Sequence, residues 1–426
     1  MTALIQAATA LLRRYQRISW SIVDQAMLSG VNFLTVLLLA RALGPENFGI
    51  FSLAWMSVLL AAGLQHALVT QPMMSIAPKM TAAETPTYFG AVVTQQLAVT
   101  ALSFGFIWGL ALFSAMFFPE WGIAELALPL AVTVSAYQTC DFFRRFFFTV
   151  NRGPTAFVVD AVSYMGQLAM LAGLFFTVGL TASSALWAIA GTSALACIVG
   201  LFFLEPLAWP REQLAPILLR HWRFGGWLAA SVILRWISRN AYMIAAGAIV
   251  GPAAIGALRA AQNLFGPIQV CFLALENVVP IRAGWYYDRR GVRGLVGYLR
   301  RIMQYSFLGG FVIALPFVLF PEFWLTLLFG EAYAGYGELV IWFAGTYAVM
   351  LIGNNLRFGL RAIEDTRSIF FMTAFNVALA LLIAEPMVTW LGVVGGAAGA
   401  LLSVSLSTAV QAAYLAWRLR EIRKTE

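Results

Sequence analysis

Asp24, Asp160, Arg235, Arg239, Arg259 and Glu276 are ionisable residues inside apolar stretches long enough to cross a bilayer. A charge at mid-bilayer costs at least ~2.5–3.5 kcal/mol, so each needs a partner, a ligand or water. Arg235 and Arg239 are four apart, which sets them on one helix face. Both fall near the middle of their stretch, about 15 Å from either surface and too deep to snorkel. A water-filled chamber is the economical place for them. Guanidinium groups stay charged at any relevant pH and present two parallel donors, the geometry that phosphate accepts. Arg259, on the next stretch, extends the cationic track. The pattern predicts a chamber for an anionic, phosphate-bearing ligand. The competing reading is structural ion pairing, for example of Asp24 or Asp160 with Arg235.

Asp24, Asp160 and Glu276 lie near one end of their stretches and are the candidates for carrying a coupling proton or sodium ion. Ser21, Gln25, Ser29 and Asn32 form a polar stripe beside Asp24, while Tyr164 and Gln167 follow Asp160. Such side chains also hold helices together at ~0.6 kcal/mol each. His66 is a lone histidine expected to be structural, and His221 falls in a loop with no expected role. Cys140, Cys197 and Cys271 lie in apolar segments, so neither a disulfide framework nor a metal site is expected. Gly392, Gly395, Gly396 and Gly399 read as small-residue helix packing. They are not a phosphate loop, because no strand precedes them and no Lys-Ser or Lys-Thr follows. With no nucleophile elbow or metalloprotease pair either, the sequence points away from an enzyme and toward no cofactor.

The elements that hold these residues are transmembrane helices. Of 426 residues, 61% are hydrophobic and 11% charged, and the mean hydropathy is +0.82. A soluble domain carries about 25% charged residues. Apolar runs of spanning length fall near 19–42, 48–68, 88–117, 125–149, 156–178, 182–203, 225–250, 254–280, 302–320, 336–361, 367–388 and 391–417. They are continuous, which excludes a barrel, and lipid then demands helices, because every unpaired backbone group costs several kcal/mol. Apart from Arg41 and the three arginines within spans, every Lys and Arg falls at the termini or in even-numbered loops. That asymmetry predicts cytoplasmic termini and supports a count of about twelve spans. Here the net charge of +8 reflects orientation, not nucleic-acid binding. Met1–Leu12 reads as an interfacial helix, and Trp285–Arg301 as an amphipathic helix meeting anionic lipid, a partner or a lipid carrier. The loop around Pro321–Glu338 is aromatic enough for another interfacial helix.

Leu43-Gly44-Pro45-Glu46-Asn47-Phe48-Gly49 recurs 207 residues later as Val250-Gly251-Pro252-Ala253-Ala254-Ile255-Gly256. In both, Gly ends one helix, Pro starts the next, and the last Gly permits close approach. A weaker echo links Arg145-Phe146 to Arg357-Phe358. Duplication of a six-span unit predicts an all-α fold of two six-helix bundles, 1–210 and 211–426. They would be related by a parallel pseudo-two-fold around a central cavity. On this repeat Asn32 corresponds to Arg239, so Asn32 joins Arg235, Arg239 and Arg259 as a candidate ligand-binding residue.

The stretch from Ala40 through Gly44-Pro45-Glu46-Asn47-Phe48-Gly49 to Leu53 resembles the first-hairpin signature of bacterial polysaccharide transporters. These are the O-antigen flippase-like proteins of the multidrug/oligosaccharidyl-lipid/polysaccharide (MOP) exporter superfamily. The resemblance extends to the twelve spans and the basic loop after span four. It implies alternating access and a cargo of undecaprenyl-pyrophosphate-linked oligosaccharide for exopolysaccharide, capsule or O-antigen. Membrane lipid is the medium, with polymerase and glycosyltransferase machinery as expected partners. The alternatives are a drug/cation antiporter of the same fold and a non-transporting scaffold of a polysaccharide assembly complex.

Overall fold

The computed structural model describes residues 2–204, 206–209 and 212–425. Side chains are described from Trp20 on, apart from Ser21, Ile22, Leu273, Asn277, Thr366 and Thr425. The backbone is helical from Thr2, but the side chains of the expected interfacial segment Met1–Leu12 and Ser21 of the polar stripe lie outside the described residues. No strand occurs among the described residues.

Twelve helices account for the apolar runs. They are α1 (2–43), α2 (45–76, through a π turn at His66–Thr70), α3 (Thr85–Phe117) and α4 (Ile123–Thr149). Next come α5 (153–177, through a π turn at Ala161–Met165), α6 (Ala182–Phe202), α7 (Leu214–Val250) and α8 (252–290, with a turn at Leu264–Phe265). The last four are α9 (292–319), α10 (Gly337–Ala362), α11 (Thr366–Leu391) and α12 (Val393–Thr425). Nine continuous segments among the described residues are long and apolar enough to cross a membrane. Two of these are divided internally, at Gly44 (φ 69°) and Gly291 (φ 56°). α7 falls short in hydropathy because it carries Arg235 and Arg239.

The chain forms two compact units. The N-terminal unit holds residues Met1–Leu43 and Leu53–Ile233, the C-terminal unit Gly44–Ser52 and Leu234–Glu426. The tip of the first hairpin thus belongs with the C-terminal unit, and the repeated motif explains why. Gly44 and Gly251 share one conformation, φ positive (69° and 118°) with ψ extended (174° and 173°), which Gly adopts at no steric cost. Each is followed by a helix-starting proline. The two motifs then cross reciprocally. A β-carbon on Gly49 would lie 1.8 Å from the Pro252 carbonyl oxygen, and one on Gly256 would lie 2.0 Å from that of Pro45. The final glycine of each copy is therefore the seat for the other copy's proline.

In the N-terminal unit an aromatic core gathers Phe142, Phe143, Phe146 and Phe147 of α4 with Phe89 of α3 and Met73 of α2. α7 begins in this unit. Gly225 sits against the Ala67 carbonyl of the α2 π turn, where a β-carbon would lie 2.3 Å from the oxygen. His221, expected in a loop without a role, is a fully buried residue in the first turns of α7. Its Nδ1 donates to Gln95 Oε1 (2.7 Å) and its Nε2 accepts from the Tyr88 hydroxyl (2.9 Å). In the C-terminal unit a short helix Pro321–Phe329 follows α9, where an interfacial helix was expected. Glu322 on it accepts from the backbone N–H groups of Gly335 (3.0 Å) and Gly337 (2.8 Å), tying the loop to the start of α10. Around Gly291, Arg289 lies over the Trp285 ring and Arg290 over Tyr286, at 4.7 and 5.7 Å.

Candidate functional site

α7 carries a stripe at positions 235, 238, 239 and 242, the i, i+3, i+4, i+7 spacing of one helix face. Arg235, Ser238, Arg239 and Tyr242 all line a cavity of about 450 Å³ whose wall is built from α7, α8, α10, α11 and α12. The volume suits a ligand of modest size, in the ~300–1,000 Å³ range of small-molecule sites. Arg357 of α10 and Glu276 of α8 also line it. Glu276 is already engaged, its Oε1 accepting from Arg361 Nη2 at 3.1 Å. Arg357 donates to Asn354. No carboxylate among the described residues lies within ion-pairing distance of Arg235, Arg239 or Arg259.

Arg259 stands behind the wall, not on it. Its Nη1 donates to Gln262 Oε1 (3.2 Å), and Gln262 lines the cavity. Tyr347 is held by Gln269 (2.8 Å) and stacks on Phe265 with ring centroids 5.1 Å apart. The rest of the wall is uncharged and mixed, with Thr346, Asn376, Ser407, Thr408 and Gln411 beside apolar residues such as Met243, Leu258, Phe272 and Phe343. The glycine run of α12 works here as helix packing. A β-carbon on Gly399 would lie 2.6 Å from Cε1 of Tyr242, so Gly399 sets where that ring rests.

The acidic candidates on α1 and α5 belong to a separate cluster in the N-terminal unit. Asp24 and Asp160 are both 1% exposed, and both face Arg144 of α4. Arg144 Nη2 lies 3.3 Å from Asp24 Oδ2, and Arg144 Nε lies 3.0 Å from Asp160 Oδ2. These contacts are ionic: no oxygen of either carboxylate accepts a hydrogen bond of good geometry among the described residues. Asp141, which the sequence reading passed over, adds a third carboxylate, 2.7 Å from Arg145 Nε and 3.7 Å from Arg144 Nη1. The expected ion pair thus exists, but with Arg144 in place of Arg235. Asp160 ends directly at the π turn of α5, a helix distortion common at functional sites. Asn32 is an exposed residue of α1 in the same unit, and the chamber does not include it. His66 donates to or accepts from Thr70 across the α2 π turn at 2.7 Å.

Two titrating groups lie ahead of the spanning segments. Burial, with help from neighbouring Arg220, pushes His221 down to about 4 and keeps it neutral. Burial alone would raise Asp365, the N-cap of α11. Hydrogen bonds from Ser368 and Tyr414, with Arg418 nearby, outweigh it and hold the carboxyl below its usual range.

Among the chamber residues not anticipated from the sequence are Ser238, Tyr242, Arg357, Asn376 and Gln411. The i+3 and i+7 partners of Arg235 were legible as Ser238 and Tyr242. The others are isolated polar residues in apolar helices, and only the fold brings them together.

Comparison with known proteins agrees with this architecture. Residues 15–281 match the family described as polysaccharide biosynthesis protein, and residues 228–385 match the MatE family. No curated protein matches the chain. Among solved structures, an inward-facing multidrug resistance MATE transporter of the MOP superfamily superposes with TM-score 0.73 at 16% identity. That match covers 93% of this chain and 95% of the other. The lipid II flippase MurJ, inward closed, gives 0.69 at 13% identity over 95% and 87%. A MOP transporter from Pyrococcus furiosus Vc1, described as having a binding pocket of reverse polarity that suggests a different function, gives 0.59 at 15% identity over 97% and 96%. The fold of these neighbours is the two-lobe, twelve-helix transporter fold. The chain belongs to the polysaccharide biosynthesis protein family and is a multi-pass membrane transporter of the MOP superfamily.

Proposed function

We propose that this protein flips an undecaprenyl-pyrophosphate-linked oligosaccharide across the bacterial inner membrane by alternating access, for exopolysaccharide, capsule or O-antigen synthesis. Both termini face the cytoplasm, and the polymerase and glycosyltransferases that make and use the glycan are the working partners. The observation that carries the reading is the pair Arg235 and Arg239 on the chamber wall without a carboxylate partner. A structural arginine in lipid is neutralised by its neighbours. Two that are left unneutralised and share a chamber favour an anion, and pyrophosphate matches their forked donors. Arg259 adds positive potential from behind. Asp24, Asp160 and Glu276 remain the candidates for ion coupling, the first two through the proton balance around Arg144.

A drug/cation antiporter is the second reading. Glu276 on the chamber wall favours it, but that carboxylate is paired with Arg361 while the arginines are not. The test is reconstitution in liposomes loaded with a pyrophosphate-linked prenyl oligosaccharide. A membrane-impermeant hydrolase reads the glycan that reaches the outside. Charge-assisted hydrogen bonds contribute ~1.5–3 kcal/mol each, so Arg235→Gln with Arg239→Gln should slow exposure at least about tenfold at equal insertion. Wild type no faster than empty liposomes, with or without an imposed proton or sodium gradient, would defeat the flippase reading. Ethidium efflux by the same liposomes would then favour the antiporter, and no flux of either kind the scaffold.

A further inference from the structure

Tyr286 of α8 and Tyr298 of α9 stack with ring centroids 4.7 Å apart and planes 16° from parallel. Along one straight helix their spacing in sequence would hold them ~18 Å apart. The chain therefore turns back on itself, and it does so at Gly291, whose φ of 56° a residue without a β-carbon adopts freely. Gly294 then packs against the arm just left, where a β-carbon would lie 2.7 Å from the Tyr286 carbonyl oxygen. The seam of this hairpin is apolar. Ala283, Val292, Leu295, Tyr298 and Leu299 are buried in it, together with Phe358 of α10.

The outer faces of the two arms repeat one pattern. Arg282, Trp285 and Arg289 follow one another at i, i+3 and i+7 on α8, and Arg293, Val296 and Arg300 do the same on α9. All six are exposed, as are Arg290 and Arg301 beside them. None of these arginines has an ion-pair partner among the described residues, although Asp288 lies between them in sequence. Three cations elsewhere in this unit are engaged: Arg361 with Glu276 at 3.1 Å, Arg418 with Asp365 at 3.7 Å and Lys424 with Glu421 at 2.7 Å. The bias that orients membrane proteins accounts for arginines at one end of the helices, but it is indifferent to which unit carries them. In the N-terminal unit Arg144 and Arg145 are spent on carboxylates and Arg152 donates to the Phe203 carbonyl. Orientation alone thus does not explain six arginines gathered on the single segment 282–301.

The apolar residue inside each stripe says what the cations meet. An acidic protein would answer the charge and leave Trp285 (46% exposed) and Val296 (42%) without apolar cover. The lipid interface answers both, since phosphates take the guanidinium forks while the apolar side chains enter the acyl boundary beneath. Arg289 is already set for this. Its guanidinium lies over the face of the Trp285 ring, 4.7 Å from the centroid, so its N–H edge stays open to a phosphate. We infer that the α8–α9 hairpin is a binding surface for anionic phospholipid headgroups, with Arg282, Arg289, Arg293 and Arg300 taking the phosphates and Trp285 and Val296 as its apolar wedges. The orientation proposed above decides which leaflet it meets, and the preference for anionic lipid is independent of transport.

Lipid retention by the purified full-length protein tests this, read by native mass spectrometry during titration with phosphatidylglycerol or phosphatidylcholine of identical acyl chains. The wild type should hold phosphatidylglycerol at least about fivefold more tightly. Arg289→Gln, Arg293→Gln and Arg300→Gln together should abolish that preference and leave phosphatidylcholine unchanged. Lys79→Gln, Arg220→Gln and Arg223→Gln, which remove as many exposed cations from the N-terminal unit, should keep it. Trp285→Ser should weaken phosphatidylglycerol about two- to fivefold with every arginine in place. No preference in the wild type, or equal loss in the two triple variants, would overturn the surface. Displacement of the lipid by polyglutamate or by inorganic phosphate, at an ionic strength where chloride displaces none, would assign the arginines to an acidic protein or a free anion and overturn it too. Melting temperatures within a few degrees of wild type verify that the variants fold. Retention is not flux, so failure here leaves the flippase reading standing, and failure of that reading leaves the surface.

Discussion

The reciprocal glycine–proline crossing makes a sharp prediction, because both clashes are with backbone. In Gly49→Ala the new methyl would lie 1.8 Å from the Pro252 oxygen and 2.7 Å from its carbonyl carbon. In Gly256→Ala it would lie 2.0 and 2.8 Å from the same atoms of Pro45. Real β-carbons do not come within 3.0 Å of such atoms, so the two helix starts must part by about 1 Å. No side chain can rotate away to relieve it. Overpacking of this kind typically costs ~1–3 kcal/mol, and a rigid site should fall at the upper end. Because each motif seats the other, the two substitutions open one crossing. Once the first has parted the chains, the second has less to push against. The double variant should therefore lose clearly less than the two single losses combined, by about 1 kcal/mol or more.

Thermal unfolding of the detergent-purified protein measures this, with Gly109→Ala as the control. Gly109 is a helical glycine of α3 with nothing within 4 Å of its would-be β-carbon. There alanine should be neutral or stabilise by ~0.5–1 kcal/mol through helix propensity. Gly49→Ala and Gly256→Ala that melt with Gly109→Ala would refute the crossing as a tight contact. Strictly additive losses would refute its reciprocity.

Two further predictions concern buried charge. Arg144→Gln leaves Asp24 and Asp160 buried without their cation, which should destabilise the protein by ~3–5 kcal/mol. Adding Asp160→Asn should restore much of the melting temperature, whereas a purely steric role for Arg144 predicts no rescue. His221 supplies a pH dependence. Its folded value of about 4 lies below the ordinary 6.5, so folding favours the neutral ring. Above pH 6.5 neither state holds the proton and stability is flat. Between 6.5 and 4 the undocked state takes a proton that the folded state refuses, so stability falls as pH falls, by up to ~2–3 kcal/mol, and levels off below 4. His221→Gln should flatten the melting temperature between pH 7 and 5. An unchanged slope would assign the effect to other groups.

The sequence made the helices legible because lipid leaves so few choices. Continuous apolar runs must be helices, and the distribution of Lys and Arg checks their number. Even the boundaries held where glycine and proline mark them, at 43–45 and 250–252. What the sequence could not show was which surfaces meet. The motif's last glycine was legible as a close-approach site, but its partner, the other copy's proline, required the fold. His221 was missed for a related reason: a histidine between charged residues at the start of a helix reads as solvent-facing. It is buried by Tyr88 and Gln95, more than a hundred positions away, and nothing near it in the chain signals them.

The same limit separates the two uses of arginine in this protein. Arg144 and Arg235 are chemically identical, lie in apolar helices and pay a similar cost to be there. Arg144 has Asp24, Asp141 and Asp160 around it, and its charge is consumed in joining α1, α4 and α5. Arg235 has Arg239 one turn away and a cavity in front. The sequence offered Asp24 or Asp160 to Arg235 as a structural partner and placed Arg144 in a loop, so structural pairing and ligand binding could not be told apart. Assigning both carboxylates to Arg144 removes them from the balance at Arg235. What remains at the chamber is positive charge on Arg235 and Arg239 with which no described carboxylate pairs. A diphosphate, which accepts from forked donors, is the kind of ligand that would meet it. An anion at Arg235 and Arg239 would thus complete what the folded chain leaves unpaired, and a transport rate unchanged in Arg235→Gln with Arg239→Gln would refute that role.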